Sequence, residues 1–396
     1  MPQKIAITGL GIISALGNTV LANKEALLQS KSGIGTLQKI ESIHASTIKV
    51  GEVAFTNAEM EALLKLPSDN NFTRTALLGS LAALEALNDA ELKDISEFKT
   101  GFISATTVGG MDKTEVHFKQ FTTHPETQKY IGSHHAGDST QKIADQLGIT
   151  EFTTTISTAC SSAANAIMFA ARLIKAGKLD RVVVGGTDAL SKFTINGFKS
   201  LLLLSESDCK PFDANRNGLN LGEAAAYLVL ESENAAKGKK VLAYLTGYGN
   251  ANDAHHQTAS SENGEGAFLA MKKALGVAEI EPSEIEYVNA HGTATSNNDL
   301  SESVALQRIF GEEMPDFSST KAFTGHTLAA AGAVEAIFSV LALQENCIFP
   351  NLNFEHKMPE TRLTPVVKLQ KKELQHVLSN SFGFGGNCSS LVFSKT

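Results

Sequence analysis

Residues 153–178 read TTTISTACSSAANAIMFAARLIKAGK, and this segment gives the first indication of the fold class. Its first five residues, Thr153–Ser157, are mostly β-branched and predict a strand. From Ser161 onward the residues favour a helix with one apolar face, which Gly177 can end. Short β-branched runs alternate with longer helical stretches along the rest of the chain. This alternation predicts an α/β fold.

Three further runs predict buried strands: Lys4–Thr8, Val182–Val184 and Ile285–Ala290. The first is followed by Gly-Leu-Gly at 9–11, where we expect a turn between strand and loop. These glycines resemble the start of a dinucleotide-binding fingerprint, but Ser14 stands where the third glycine is needed. No clear ribose-binding acid follows at the expected distance of ~20 residues. We therefore interpret the glycines as structural.

A short internal sequence repeat raises the question whether the two halves of the chain arose by duplication. The sequence ITGLG at 7–11 resembles LTGYG at 245–249, and each follows a strand-like run. Two short matches can equally arise by chance, so the residues alone leave the question open. If the chain is duplicated, the polar stretch at 234–240 predicts the boundary. The N-terminal half would then span residues 1–238 and the C-terminal half residues 239–396.

The composition is that of a soluble globular protein. Of 396 residues, 42% are hydrophobic and 19% charged, and the formal net charge is −8. An acidic chain lacks the basic footprint of non-specific nucleic-acid binding, so we expect no nucleic-acid partner. The four cysteines are far apart and predict neither zinc nor disulfides. We find no signal peptide and no apolar run of the ~20 residues that a membrane span needs, so we expect a cytoplasmic protein without a membrane partner.

Cys160 lies at the turn between the predicted strand and helix of the opening stretch. A helix N-terminus stabilises negative charge, so we expect the thiol to be ionised and nucleophilic there. A backbone N–H at such an elbow can also hold an oxyanion. The alternative is a small buried hydrophobe, and the local sequence does not decide between the two. For the other three cysteines the structural interpretation is favoured.

Two histidines follow glycine-flanked turns in the second half. His291 ends a predicted strand, and His326 precedes an apolar helix in a turn that also carries Lys321. At a helix start the neutral imidazole is favoured, and its Nε–H can stabilise a developing enolate. Singly, each histidine is more easily explained as structural. A cysteine, two histidines and a lysine on such turns form a more specific pattern. A zinc site with His255–His256 is not supported by the spacing.

Near the C-terminus, residues 380–386 read NSFGFGG. Glycines around aromatic residues suggest a mobile backbone with an aromatic gate. A sharp turn into a final strand, Ser390–Phe393, explains the same pattern.

Together these segments resemble the β-ketoacyl-acyl-carrier-protein synthases of the elongating Cys-His-His type. The resemblance covers nearly the whole chain. Its motifs are ITGLGIISALGN at 7–18, TACSSA at 158–163, PFDANRNGLNLGEAAAYLVLE at 211–231, VNAHGTAT at 288–295, KAFTGHTLAAAGAVEA at 321–336 and NSFGFGG at 380–386. The resemblance implies a duplicated thiolase-like fold of five αβαβα layers, usually a homodimer. It also implies acyl carrier protein as partner, with acyl and malonyl thioesters as substrates.

The resemblance also assigns roles by matching position. Cys160 would accept the acyl group, and His291 and His326 would support malonyl decarboxylation. Lys321 would support the histidines with Glu302 as its acidic partner, and the Phe384 backbone N–H would complete an oxyanion hole with that of Cys160. Thr293 and Thr295 would hold the phosphopantetheine arm. The remaining assignments are substrate binding by Thr258 and Phe382, and a monovalent-cation site at Asn289, Glu335, Asn380 and Ser381.

Three segments depart from the family pattern. Asn387–Cys388 replaces a common Thr-Asn pair, Ser296 replaces a proline, and GEAAA at 222–226 replaces a more glycine-rich segment. No catalytic group is lost. A specialised synthase for polyene, pigment or polyketide lipids therefore fits about as well as one for ordinary fatty acids.

We predict a cofactor-free acyltransferase, because phosphopantetheine arrives on the carrier protein. Two alternatives stay open: a non-condensing chain-length partner subunit, and a thiolase acting on coenzyme A esters with Cys388 as its second cysteine. Val108, Phe193 and Phe198 are candidates for the acyl pocket.

Overall fold

The computed structural model describes residues 4–396. Ten strands form one mixed sheet: β1 (Ile5–Ile13), β2 (Thr100–Ala105), β3 (Phe152–Ile156), β4 (Arg181–Asp188), β5 (Ala224–Glu231), β6 (Ala243–Asn252), β7 (Tyr287–Asn289), β8 (Asp316–Ser318), β9 (His376–Gly383) and β10 (Asn387–Ser394). Short strands at Gly35–Thr36, Lys49–Gly51 and Leu221–Gly222 form a second sheet, and Cys347–Ile348 pairs with Gln370–Lys371.

Eleven α-helices accompany the sheet in the described residues: α1 (Val20–Leu28), α2 (Asn57–Leu63), α3 (Arg74–Asp89), α4 (Met111–His117), α5 (Ala136–Leu147), α6 (Ser162–Lys175), α7 (Lys192–Ser200), α8 (Glu265–Ala278), α9 (Ser296–Phe310), α10 (Lys321–Thr324) and α11 (Ala331–Glu345). The 3₁₀ segments lie at Ile95–Glu97, Phe118–Gln120, Pro125–His134, Pro282–Glu284, Leu328–Ala330 and Phe384–Gly386.

The order of the strands shows an internal repeat. From the centre outward, one half of the sheet runs β1-β5-β4-β2-β3 and the other runs β6-β10-β9-β7-β8. Each strand of the second half therefore has a counterpart five strands earlier in the chain. The two halves join where β1 pairs antiparallel with β6, with Ile5 opposite Leu245.

The echoed glycines explain why the two central strands look alike in sequence. A side chain on Gly11 would collide with the backbone of α3 at Ala82, and one on Gly249 with the backbone of α8 at Ala270. Each half therefore packs an outer helix directly onto its central strand, where only glycine fits. The duplication is thus confirmed. The predicted turn at 9–11 is wrong, because these glycines lie inside β1.

The helices lie in three layers around the folded sheet. Helices α3 and α5 cover the outer face of the first half, and α8, backed by α9, covers that of the second. Between the halves lie α6 and α11, which contact strands of both. This is the five-layer αβαβα arrangement that the resemblance implies. The proposed boundary at residue 238 falls in the connection between β5 and β6.

One helical stretch, Leu328–Glu345, is apolar and long enough to cross a membrane, but 89% of it is buried inside the protein. It includes α11, which is packed between the two halves of the sheet. Its apolar character is therefore that of a core helix.

Candidate active site

The predicted site residues gather at one cavity of about 270 Å³. Eight of them line it: Cys160, Thr258, His291, Thr293, Thr295, His326, Phe382 and Phe384. The other six lie behind this lining and are almost fully buried: Asn289, Glu302, Lys321, Glu335, Asn380 and Ser381. Since the lining comes from both halves of the chain, the site forms where the two repeats meet.

Cys160 sits in a tight elbow between β3 and α6. The preceding Ala159 has a left-handed backbone, with φ of +53°. The turn after β9 lies against this elbow: a side chain on Gly383 would come within 3.1 Å of the Cys160 nitrogen. Glycine at 383 therefore allows the two backbones to touch. The neighbouring Phe384 N–H lies on the side of the Cys160 sulfur and lowers the pKa of the thiol.

The Cys160 thiol is protonated at neutral pH. Burial raises its pKa to about 12, although Lys321 and the Phe384 N–H act in the opposite direction. The expected resting thiolate is therefore wrong. Only 6% of Cys160 is exposed, and loss of solvation outweighs the favourable position beside the helix N-terminus.

His291 and His326 face one another across the cavity floor. Their ring centroids are 5.4 Å apart, and the rings are nearly perpendicular at 87°. Burial, and secondly the charge of Lys321, hold the pKa of each imidazole well below its usual value. Both rings are therefore neutral near pH 7, which confirms the prediction.

Hydrogen bonds fix the tautomer of each ring. The Lys321 ammonium lies 3.2 Å from Nδ1 of His291, and the Leu328 N–H donates to Nδ1 of His326 at 3.2 Å. An ammonium or amide needs an acceptor, so neither Nδ1 carries a proton. Each ring must then carry its proton on Nε2. The pair therefore offers two N–H donors, as enolate stabilisation requires.

The acidic partner of Lys321 is Glu335. The two side chains form a short ion pair, and each is only 3% exposed. Glu302 instead accepts hydrogen bonds from the main-chain N–H groups of His291 at 2.9 Å and Gly292 at 2.8 Å. The pairing of Lys321 with Glu302 is therefore wrong. Glu302 holds the backbone of the histidine turn.

The predicted cation residues do not all point to one place. Asn289 Oδ1 is buried and has no hydrogen-bond partner among residues 4–396, as expected for a ligand atom. Its amide donates to the main-chain oxygen of Glu335 at 3.3 Å, and Ser381 Oγ lies 3.4 Å from the Glu335 carboxylate. The Asn380 amide, in contrast, donates to Glu302 at 3.1 Å. Asn289 and Ser381 therefore both contact Glu335, whereas Asn380 contacts Glu302.

The cavity lining also includes an aromatic pair and a pair of hydroxyls. Phe198 stacks on Phe384 with centroids 5.9 Å apart, and the hydroxyls of Thr293 and Thr295 are 2.9 Å apart. The predicted pocket residues Val108 and Phe193 do not line this cavity.

Leu202 and Leu203 also line the cavity, although no sequence motif singled them out. Leu202 is 85% exposed and has a positive φ of +57°, so it stands at the cavity mouth. The available signal was the run of four leucines at 201–204 directly after a predominantly polar segment.

Comparison with known proteins gives consistent results. Residues 2–236 match the family described as "Beta-ketoacyl synthase, N-terminal domain", and residues 242–355 match "Beta-ketoacyl synthase, C-terminal domain". The chain is 34% identical over 410 aligned positions to "3-oxoacyl-[acyl-carrier-protein] synthase 2" of Staphylococcus aureus (strain COL), covering 99% of this chain and 98% of that protein.

Solved structures resemble the whole chain. "The ishigamide ketosynthase/chain length factor" superposes with a TM-score of 0.93 at 28% identity, covering 100% of both chains. A type II polyketide synthase acyl-carrier protein in complex with its ketosynthase bound to the hexaketide gives a TM-score of 0.90 at 26% identity, again covering 100% of both chains.

Proposed function

Because the chain belongs to the β-ketoacyl synthase family, we propose that it is a 3-oxoacyl-[acyl-carrier-protein] synthase that elongates an acyl group held on Cys160. One observation carries the proposal: Cys160 shares a single cavity with two neutral imidazoles. Their free Nε2–H groups follow from the hydrogen bonds at Nδ1.

The first step moves the acyl group onto the cysteine. The Cys160 sulfur attacks the thioester carbonyl, and the main-chain N–H groups of Cys160 and Phe384 stabilise the oxyanion that forms. The bond to the phosphopantetheine sulfur then breaks. The thiol proton of Cys160 leaves with the released carrier thiol, so no net charge accumulates in the buried site.

The second and third steps make the new carbon–carbon bond. Malonyl-carrier protein loses CO₂, and the resulting enolate oxygen accepts hydrogen bonds from Nε2–H of His291 and His326. The enolate carbon attacks the Cys160 thioester, the carbon–sulfur bond breaks, and β-ketoacyl-carrier protein is released. The departing Cys160 thiolate takes up one proton from solvent, which restores the thiol.

Two variants of the nucleophile test this function. Cys160→Ala should abolish both the covalent acyl-enzyme and condensation, measured by intact mass and product formation with acyl- and malonyl-carrier proteins. Cys160→Gln should decarboxylate malonyl-carrier protein without condensation, because the histidines remain in place. Elongation retained by Cys160→Ala would contradict the assigned role of the nucleophile. Failure of Cys160→Gln to release CO₂ from malonyl-carrier protein would contradict the assigned role of the histidines.

We propose acyl carrier protein as the partner, supported by the ketosynthase complex among the similar structures.

We also propose a homodimer formed at the free edge of the sheet. The edge strand β8 is covered, because Val366 N–H donates to the Phe317 carbonyl at 2.9 Å. The strand at the other edge is β3. Its outer side pairs with no strand of residues 4–396. Exposed strand edges favour pairing with another chain.

The two alternatives from the sequence analysis are less favoured. A non-condensing partner subunit needs no nucleophile, whereas Cys160 is present and faces both histidines. Condensation by the purified chain alone would distinguish the two. The matched family is that of the synthases rather than the thiolases.

Location and cofactor use are further proposals. All four cysteines are free and buried, and we propose a reducing compartment, the cytoplasm, for a step in fatty acid or related lipid biosynthesis. A monovalent cation would be held by Asn289, Glu335 and Ser381, beside Lys321, where it would make the packing of these side chains more rigid. Replacing K⁺ and Na⁺ by tetramethylammonium should then lower the thermal midpoint of wild type but not of Asn289→Leu.

A further inference from the structure

Three asparagine side chains meet directly behind the nucleophile: Asn165, Asn250 and Asn387. We call them the asparagine cluster. Asn165 lies in the first turn of α6, Asn250 in β6, and Asn387 at the start of β10. The cluster thus joins one helix of the first repeat to two strands of the second. None of these residues lines the catalytic cavity.

Asn387 is the centre of the cluster. Its Oδ1 accepts hydrogen bonds from Asn165 Nδ2 at 2.7 Å and from Asn250 Nδ2 at 3.0 Å. It shares the single hydroxyl proton of Ser161 with the Thr158 carbonyl, since each oxygen lies 2.8 Å from Ser161 Oγ. In return, Asn165 Oδ1 accepts from Asn250 at 2.9 Å and from Ser389 at 2.8 Å. All donors to Asn387 are neutral, and its own side-chain amide donates no hydrogen bond within residues 4–396.

The position of Asn387 connects the two backbone segments that form the nucleophile's surroundings. Its backbone is paired across the hairpin with Gly383, which packs against the Cys160 nitrogen. Its side chain holds Ser161, the residue next to Cys160. One residue therefore ties the Cys160 elbow to the turn that carries Phe384. At this position the chain also departs from the Thr-Asn common in the family.

We propose that Asn387 is a positioning residue for the acyl-transfer step, and this rests on the proposed function. It acts through its single acceptor oxygen, which keeps the N–H groups of Cys160 and Phe384 aimed at one point. The histidine pair is held separately, by Lys321 and by the Leu328 N–H. Acyl transfer to Cys160 should thus depend on Asn387, whereas malonyl decarboxylation should not.

Two substitutions separate the acceptor oxygen from the bulk of the side chain. Asn387→Leu keeps the volume but removes the acceptor, and should slow single-turnover acylation of Cys160 by about 10- to 100-fold with little change in KM. Asn387→Asp keeps an acceptor for all three donors but adds a negative charge near the thiol. It should restore the acylation rate to within about threefold of wild type at high pH, with the pH profile displaced upward.

The matched control is Thr246→Val, which removes a hydroxyl that bonds Ser394 at 2.7 Å at the far end of the same two strands. It should leave acylation at the wild-type rate. Decarboxylation is measured in a Cys160→Gln background, where adding Asn387→Leu should change the rate by less than about twofold. An unchanged acylation rate in Asn387→Leu would overturn the proposal. It would also be overturned if Asn387→Leu slowed acylation and malonyl decarboxylation equally and Asn387→Asp did not restore the rates. If wild type forms no acyl-enzyme, it is the proposed function that fails.

Discussion

Burial and charge act in opposite directions on the Cys160 sulfur, and burial is the larger effect. A thiol with a pKa of about 12 is almost entirely protonated at pH 7. Its nucleophilicity in the acyl-transfer step must come from the contacts made in the transition state, including the Phe384 N–H, rather than from a resting thiolate.

This has a direct consequence for the reaction of Cys160 with iodoacetamide. The alkylation rate should rise about tenfold per pH unit from 7 to 10 without a plateau, because the reactive thiolate fraction keeps increasing. Intact mass gives the rate, with Cys160→Ala as the control for the other three cysteines. A plateau between pH 7 and 8 would show that the sulfur is ionised at rest.

Two buried carboxyls beside the histidines differ in what they hold. Glu335 pairs with Lys321, whereas Glu302 accepts two main-chain N–H groups, and burial raises the pKa of each to about 7. Removing the charge of Glu335 leaves a buried ammonium without its counter-ion, a change that is strongly destabilising. Glu335→Gln should therefore lower malonyl decarboxylation by about 10- to 100-fold, and Glu302→Gln by less.

The two carboxyls, Glu335 and Glu302, also predict how the decarboxylation rate falls at acidic pH. A carboxyl with a pKa of about 7 loses its charge as the pH falls through 7, so decarboxylation by Cys160→Gln should decline below that pH. If Glu335 is responsible, Glu335→Gln in this background removes the decline and Glu302→Gln retains it. The reverse result would assign the decline to Glu302.

At this scale the sequence predicted the reactive groups but not their partners. Cys160, His291, His326 and Lys321 each stand out because of the glycine-flanked turns around them. The partner of Lys321 does not, since Glu302 and Glu335 both lie on helices that follow the catalytic turns, and either spacing from the turn is plausible. Only the packing of α11 brings Glu335 to the lysine.

Among the strands and helices, the close packing of each central strand against its outer helix leaves the least room for substitution. Gly11 in β1 and Gly249 in β6 occupy equivalent positions against α3 and α8. An added methyl group at either position would force the helix away from the sheet. Gly11→Ala and Gly249→Ala should each lower the free energy of unfolding by about 1–3 kcal/mol.

Urea unfolding followed by circular dichroism measures both changes, with Gly276→Ala as the control. Gly276 lies in α8, with nothing within 4 Å of the position of an added Cβ. There, alanine should be neutral or slightly stabilising. If Gly11→Ala and Gly249→Ala behave like the control, the close packing of strand and helix is not what selects glycine.

The glycine pattern also shows what limited the element predictions. A turn and a close helix–strand contact both require the missing Cβ, so Gly-Leu-Gly is compatible with either. The repeat of the pattern 238 positions later was the better indicator, because two independent turns need not share their flanking residues. The strand and helix of the opening stretch were predicted correctly, since β-branched residues mark the strand and an apolar face marks the helix.

For the whole molecule, the fold class and the repeat could be predicted, but the assembly could not. A free sheet edge is a property of the folded chain, because it depends on which strands end up outermost. The strand β3 is outermost in the first repeat, and its counterpart β8 is covered by a segment of its own chain. The repeats are therefore equivalent in topology but not in exposure.

If β3 forms the dimer interface, the purified chain should sediment as a species of about 84 kDa, twice the 42.0 kDa of one chain. Thr154→Pro removes a backbone donor from β3 and should shift the protein to monomers, since proline is poorly tolerated in a paired strand. The matched control, Lys371→Pro, disturbs an exposed two-residue strand remote from this edge and should remain dimeric. Circular dichroism of both variants separates dissociation from unfolding. Only an interface built on strand pairing needs the edge strand β3. A folded Thr154→Pro variant that still sediments as a dimer would therefore place the interface on another surface.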